Sequence, residues 1–399
     1  MNPLLNLLQP YPFQKLSQLF KGVEANTAYA PIALHIGEPK HATPKFICDA
    51  LSSNMGGLAN YPTTIGTDAL RQCIANWLQR RYQLNTSPDF KTQVVPVNGS
   101  REALFSFAQA VIDSSKPDPV VVSPNPFYQI YEGAAYLAGA TPHFYNTLPK
   151  DNFALNFSEL SEDVWQRTQL MYVCSPGNPN GHVMPLSEWK MLFEMSDKYG
   201  FVIASDECYS EIYFDNPPLG AMEAAQALGR TDYRNLVIFS SLSKRSNVPG
   251  LRSGFVAGDA KILEKFTLYR TYHGCAMNPA VQAASMAAWN DEAHVQENRR
   301  LYKEKFAKVF EILKPVLPVE MPDASFYFWL KVPVADTAFA QGLHRDYNVT
   351  VLPGSFLARE ARGINPGENF VRIALVATLE ETVEAAHRIA EFTQKLKSN

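Results

Sequence analysis

The sequence predicts an α/β fold in which a mainly parallel sheet is sandwiched by helices, with a smaller α+β domain attached. Three observations carry this reading. Short, wholly apolar runs recur between helical stretches, as in Val120–Val122, Leu170–Cys174, Phe201–Ala204 and Leu236–Phe239; such runs mark parallel strands covered on both faces. Each is followed by a cluster of polar or turn-forming residues, and sheets of this kind bind ligands beyond the carboxyl ends of their strands. Finally, 399 residues exceed one ordinary domain, and the strand–helix alternation gives way to another pattern from about Ala280.

In chain order, the opening MNPLLNLLQPYPFQKL has no basic residue before Lys15 and is interrupted by Pro3, Pro10 and Pro12. It is expected to be an arm packed on the protein or on a partner subunit, not a signal peptide or membrane anchor. Ile32–Pro39 reads as a short strand ending in a Gly-x-Pro turn. Thr67 can cap a helix over Asp68–Tyr82 whose apolar face is Leu70, Ile74, Trp77 and Leu78. Val94–Val97 then leads through Asn98-Gly99 into a helix beginning at Ser100, and the repeating strand pattern continues to Phe255–Ala257. Beyond it lie a long helical region from Ala280 to Leu313, strands at Phe326–Leu330, Val349–Pro353 and Phe370–Leu375, and a last helix opened by the capping box Thr378-x-x-Glu381. The expected division is an N-terminal arm and small-domain segment over 1–45, a large domain over 46–285 and a small domain over 286–399.

Composition narrows the function. Apolar residues at 46% and charged residues at 19% suit a globular enzyme with a large core. A net charge of −3 argues against nucleic acid or an anionic membrane as the main partner. Five scattered cysteines, never spaced C-x-x-C, favour free thiols and a cytoplasmic setting, and the eight histidines show no metal-ligand spacing.

The polar residues at the strand ends suggest the chemistry. In FSSLSKRSNVPGLRSG (239–254), Lys244 stands among Ser240, Ser241 and Ser243, with Arg252 following. Such a lysine suits pairing with a phosphate or Schiff-base formation through its neutral amine; a solvated lysine in a serine-rich loop is the alternative. Pyridoxal phosphate (PLP) brings both an aldehyde and a phosphate. Ser100 starts a helix after a glycine turn, where it either helps to hold an anion or simply caps. Asp206 ends an apolar strand, as a cap or as the partner of a protonated pyridine nitrogen. Asn178 lies in a Gly-Asn-Pro turn, Tyr128 suits a core or a ring face, and Arg372 suits a carboxylate clamp or an exposed edge.

Together the motifs IGEP (36–39), YPTTIG (61–66), NGSREAL (98–104), NPFYQIY (125–131), SPGNPNG (175–181), SDECYSEIYF (205–214), SLSKRSNVPGLRSG (241–254) and FVRIAL (370–375) resemble, in order, the class I/II PLP-dependent aminotransferases of fold type I. The arm, IGEPKHATP and YRTYHGCAMNPAVQAAS (269–285) look like bacterial N-succinyldiaminopimelate aminotransferases. The resemblance implies that Lys244 forms the Schiff base and moves the proton, while Asp206 pairs with the pyridine nitrogen. It implies that Asn178 and Tyr209 bond the ring's phenolic oxygen and Tyr128 stacks on the ring. Ser100, Arg101, Ser241, Ser243 and Arg252 would hold the phosphate, with Tyr61 reaching it from the second subunit of a homodimer. Arg372, helped by the Gly37 backbone, would clamp the substrate α-carboxylate. Two features depart from the pattern: Phe127 could share the stacking role, and Arg245–Pro249 is polar where many relatives are apolar.

The implied activity exchanges an amino group between glutamate and N-succinyl-2-amino-6-oxopimelate, a step of lysine and diaminopimelate synthesis. Other amino-acid aminotransferases, a PLP carbon–sulfur β-lyase and a non-enzymatic regulator on the same fold are the alternatives. Lys40, His41, Arg245 and Arg359 are candidates for reading the succinyl end, each of which could equally be a solvated surface charge.

Overall fold

The computed structural model describes residues 1–398. Its strands are β1 (Ile32–Ala33), β2 (Val94–Val97), β3 (Val120–Asn125), β4 (Thr141–Asn146), β5 (Thr168–Cys174), β6 (Val202–Asp206), β7 (Leu236–Ser241), β8 (Gly254–Gly258), β9 (Tyr327–Lys331), β10 (Val349–Thr350), β11 (Leu352–Pro353) and β12 (Phe370–Ala374). Seven of them form one sheet in the order β2-β8-β7-β6-β5-β3-β4. Its neighbours pair in parallel except at β8, which runs antiparallel to both β2 and β7.

Side-chain alternation buries both faces of this sheet, as the apolar runs require. Val120, Val122, Met171, Val173, Ile203, Leu236 and Ile238 face one helical layer. Val121, Leu170, Tyr172, Ala204, Val237 and Phe239 face the other. The reversed direction of β8 was not legible from Phe255–Ala257, because a strand buried on both faces reads alike in either direction. What decides it is the β7–β8 connection, which holds short helical turns instead of a covering helix and so returns the chain directly. Edge strand β4, reading TPHFYN, also escaped the sequence reading, since its half-exposed face carries no continuous apolar run.

Thr67 accepts from the Leu70 amide at 3.3 Å and opens the helix Asp68–Arg81, whose expected face is fully buried. The long helical region after Ala280 is two helices, Pro279–Asn290 and Ala293–Leu313. The break at Asp291 falls where the chain leaves one core for another. The first helix packs on Lys45–Ser53 and Asp68–Arg81, the second on Leu379–Ser398. Thr378 and Glu381 exchange the two capping hydrogen bonds, at 3.2 and 3.1 Å.

A second core gathers Ile32 and Leu34 with Tyr302, Phe306, Phe328, Val349, Ile373 and Ile389. Only Ile32–Ala33 of the expected N-terminal strand is extended, pairing in parallel with β10. From there the chain runs on through Ile36, Gly37 and Glu38, which line the cleft.

Candidate active site

Strand β7 ends at Ser241, whose hydroxyl accepts from the Ser243 amide at 3.1 Å and opens the one-turn helix Leu242–Arg245. This turn aims Lys244 into the cleft, where its Nζ donates to the Gly37 carbonyl and lies 5.3 Å from the Phe326 ring centre. No carboxylate pairs with it among the described residues. Burial, chiefly, together with the charges of Arg372 and Arg101, lowers its pKa to about 8.

Asp206 ends the neighbouring strand β6 and is only 4% exposed. Its carboxylate accepts from the Tyr131 hydroxyl at 2.8 Å and the Cys208 amide at 3.3 Å. Burial raises its pKa, and no cation pairs with it among the described residues. A buried carboxylate without a countercharge costs several kcal/mol.

The anion side of the cleft is built from turns. Gly99 has φ +84°, and a Cβ there would overlap the Arg252 guanidinium. Arg252 donates to the Pro249 carbonyl at 2.8 Å and lines the same lobe as Ser100, Arg101, Ser241 and Ser243. The helix Ser100–Val111 adds its amino end to this lobe. Arg101 donates through Nε to the Tyr128 hydroxyl at 2.7 Å.

At the other end, Arg372 of β12 donates from Nη1 to Asn178 Oδ1 and from Nη2 to the His35 carbonyl, both at 3.0 Å. Its guanidinium lies 4.3 Å from the Tyr327 ring centre, and its buried Nε has no partner. Tyr209 and Tyr327 share a hydrogen bond of 3.0 Å beneath it.

Gly37, Ser100, Arg101, Tyr128, Asn178, Asp206, Tyr209, Lys244 and Arg372 therefore line one cleft, with Ser241, Ser243 and Arg252 in its adjoining lobe. Tyr61 lies outside it, fully exposed on its own protomer. The distal candidates need correction. Arg245 is 2% exposed, its guanidinium against Trp77 and Trp289 and ion-paired with Glu292 at 2.5 Å, so it belongs to the core. Arg359 forms a two-pronged pair with Glu132 at 2.9 and 2.6 Å, and His41 is bonded to Asn298 and Lys305. Lys40 alone remains an exposed cation without an ion pair among the described residues.

Sequence reasoning missed Cys208, Tyr327 and the arm residues Tyr11 and Phe13, which line the cleft, and Tyr131, which bonds Asp206 from behind it. Tyr131 closes the quoted NPFYQIY motif, the one signal that could have marked it.

These donors fit PLP. The buried Asp206, without a countercharge, suits a protonated pyridine nitrogen, and a lysine of lowered pKa suits an aldehyde. The hydroxyls and arginine around Gly99 suit a phosphate. The comparisons agree. The family model of aminotransferase class I and II matches residues 30–389. An LL-diaminopimelate aminotransferase of Nitratidesulfovibrio vulgaris is 31% identical over 397 residues, covering 97% of this chain and 98% of that one. The crystal structure of an aminotransferase from Neisseria meningitidis superposes with a TM-score of 0.95 at 55% identity, covering 98% of this chain and 99% of the other. A probable N-succinyldiaminopimelate aminotransferase from Thermus thermophilus shares the fold at a TM-score of 0.82 and 24% identity, over 96% of this chain and 100% of that one. The chain belongs to the aminotransferase class I and II family, whose cofactor is pyridoxal 5'-phosphate.

Proposed function

We propose that this protein transfers an amino group between glutamate and an oxo acid of the diaminopimelate type, N-succinyl-2-amino-6-oxopimelate in the first reading. The observation that carries the transaminase assignment is that one cleft holds both a buried acid without a countercharge, Asp206, and a lysine of lowered pKa, Lys244. PLP, when bound, supplies an electron sink for the carbanion formed at the substrate's α-carbon.

The residues then divide the work. Lys244 would hold the cofactor through its amine, and its Nζ would carry the α-proton. Asp206 keeps a proton on the pyridine nitrogen, and Tyr131 keeps the carboxylate oriented. Asn178 and Tyr209 hold the phenolic oxygen, and Tyr128 covers the ring. Ser100, Arg101, Ser241, Ser243 and Arg252 anchor the phosphate, with Tyr61 arriving from a second copy of the chain in a homodimer. Arg372, its Nε free and Nη1 already set by Asn178, clamps the substrate α-carboxylate beside Gly37. Residues 1–45 are assigned to an N-terminal arm and small-domain segment, 46–285 to the large domain and 286–399 to the small domain.

The sequence likeness of the arm and of IGEPKHATP supports the succinylated substrate. The curated LL-diaminopimelate aminotransferases support free LL-diaminopimelate as the second reading, and the internal pairing of Arg359, His41 and Arg245 is consistent with it. Purified PLP-loaded protein mixed in turn with N-succinyl-diaminopimelate and LL-diaminopimelate, each with 2-oxoglutarate, separates them. Glutamate formed from the succinylated amine alone supports the first reading, from the free amine alone the second. No glutamate from either removes the diaminopimelate assignment.

A further inference from the structure

The polar segment after Lys244 and the loop IGEPKHATP meet in a hydrogen-bonded chain that the proposed reaction does not use. Lys305, on the helix Ala293–Leu313, is 2% exposed. Its Nζ donates to the Leu375 carbonyl at 3.2 Å and lies 2.7 Å from His41 Nε2. His41 Nδ1 lies 2.7 Å from Asn298 Oδ1, which also accepts from Asn247 Nδ2 at 3.1 Å. Asn298 Nδ2 in turn donates to the backbone carbonyl of Lys244 at 3.3 Å. Thr43, two residues beyond His41, donates to the Asn247 carbonyl at 2.9 Å.

The donor inventory allows one assignment. Lys305 has no acceptor, so His41 must accept at Nε2 and carry its proton on Nδ1. Asn298 must then accept from His41 with its oxygen and donate to Lys244 with its nitrogen. Burial, chiefly, and the charge of Lys305 lower the pKa of His41, which keeps the imidazole in this neutral form below about pH 8, the value to which burial brings Lys305. The carboxylates acting on the pair are Glu297 on His41 and Glu380 and Glu381 on Lys305. The chain spans from Leu375, just past the strand that carries Arg372, to the turn that carries Lys244. The loop also touches Lys244 directly, through the Gly37 carbonyl on Nζ.

We propose that His41, Asn298 and Lys305 are positioning residues that lock the loop 37–43 to the Lys244 turn and so fix where the Lys244 amine sits relative to Arg372. The proposal rests on the reading of Lys244 as the cofactor-linked base.

His41→Phe keeps a ring against Tyr302, 4.6 Å away between centres, but removes both hydrogen bonds. His41→Gln keeps an acceptor toward Lys305 and a donor toward Asn298. The PLP-loaded variants are titrated by visible absorption, and their melting temperatures and glutamate half-reaction rates are measured. His41→Phe is expected to displace the midpoint of the visible titration by about one pH unit and slow the half-reaction about tenfold; His41→Gln stays close to the parent. Should His41→Phe fail to fold, Lys305→Met carries the same expectation. A lowered melting temperature with an unmoved midpoint, or equal behaviour of the Phe and Gln variants, overturns the proposal. Failure of the underlying reading is distinct: the visible band would then survive Lys244→Ala.

Discussion

Lys244 can act because burial disfavours its ammonium form. Its pKa falls from 10.5 to about 8, so the neutral amine gains population as pH rises through 8. The rate at which cofactor-free protein captures PLP should climb about tenfold per pH unit below 8 and level off above it, followed by stopped-flow absorption; a rise continuing past 10 would describe a solvated lysine. The same shift sets a sign for stability. Between 8 and 10.5 the unfolded chain keeps a proton that the folded lysine has lost, so the cofactor-free fold gains stability as pH rises through that window. Arg372 is prepared differently, by hydrogen bonds to Asn178 and the His35 carbonyl. Arg372→Ala should weaken kcat/KM for amino and oxo acids alike, by about 2–4 kcal/mol. Steady-state kinetics with an unchanged specificity constant for both substrates would remove Arg372 from the carboxylate site. Lys244, Asp206 and Arg372 were legible because each interrupts or ends an apolar run. Tyr131 and Tyr327 were not, because their partners Asp206 and Tyr209 lie 75 and 118 residues away and only packing unites them.

At the scale of the element, strand-end turns decide which side chains reach the cleft. Lys244 and Arg245 are neighbours of similar chemistry, yet one helical turn sends the first to the cleft and the second between Trp77 and Trp289. No sequence pattern separates them, since both follow the same apolar strand. Arg245→Ala should therefore lower unfolding free energy by about 2–4 kcal/mol, through lost packing and an unpaired Glu292, and leave discrimination between succinylated and free substrates unchanged. Chemical denaturation and paired kinetics test both halves; a selective loss on the succinylated substrate would restore Arg245 to the site. Gly99 makes the complementary case. Its φ of +84° strains any L side chain and a Cβ would push the Arg252 guanidinium aside, so Gly99→Ala should weaken PLP binding at least about tenfold while the sheet still forms, as equilibrium dialysis would report. The antiparallel course of β8 also belongs to this scale, because it follows from the geometry of a connection and not from the composition of the strand.

For the whole molecule, the large sheet places Asn178, Asp206 and Lys244 at the ends of, or just beyond, three adjacent strands, and the second core brings Arg372 and the loop above them. That plan was readable because buried parallel strands advertise themselves and their ends hold the ligands. Substrate choice was not readable, since three of the four cations picked for the distal carboxylates are consumed by internal partners. Tyr61, exposed on its own protomer, should act across a dimer. Mixing inactive Lys244→Ala and impaired Tyr61→Ala chains should then recover part of the activity, and no recovery in verified mixed dimers would leave Tyr61 outside the site. The central claim, amino transfer through Lys244 and Asp206, is tested most directly by adding glutamate to the PLP-loaded protein with no acceptor present. The account predicts loss of the visible band with one equivalent of 2-oxoglutarate formed per site and no ammonia released. An unchanged band, or release of ammonia in place of 2-oxoglutarate, would contradict it.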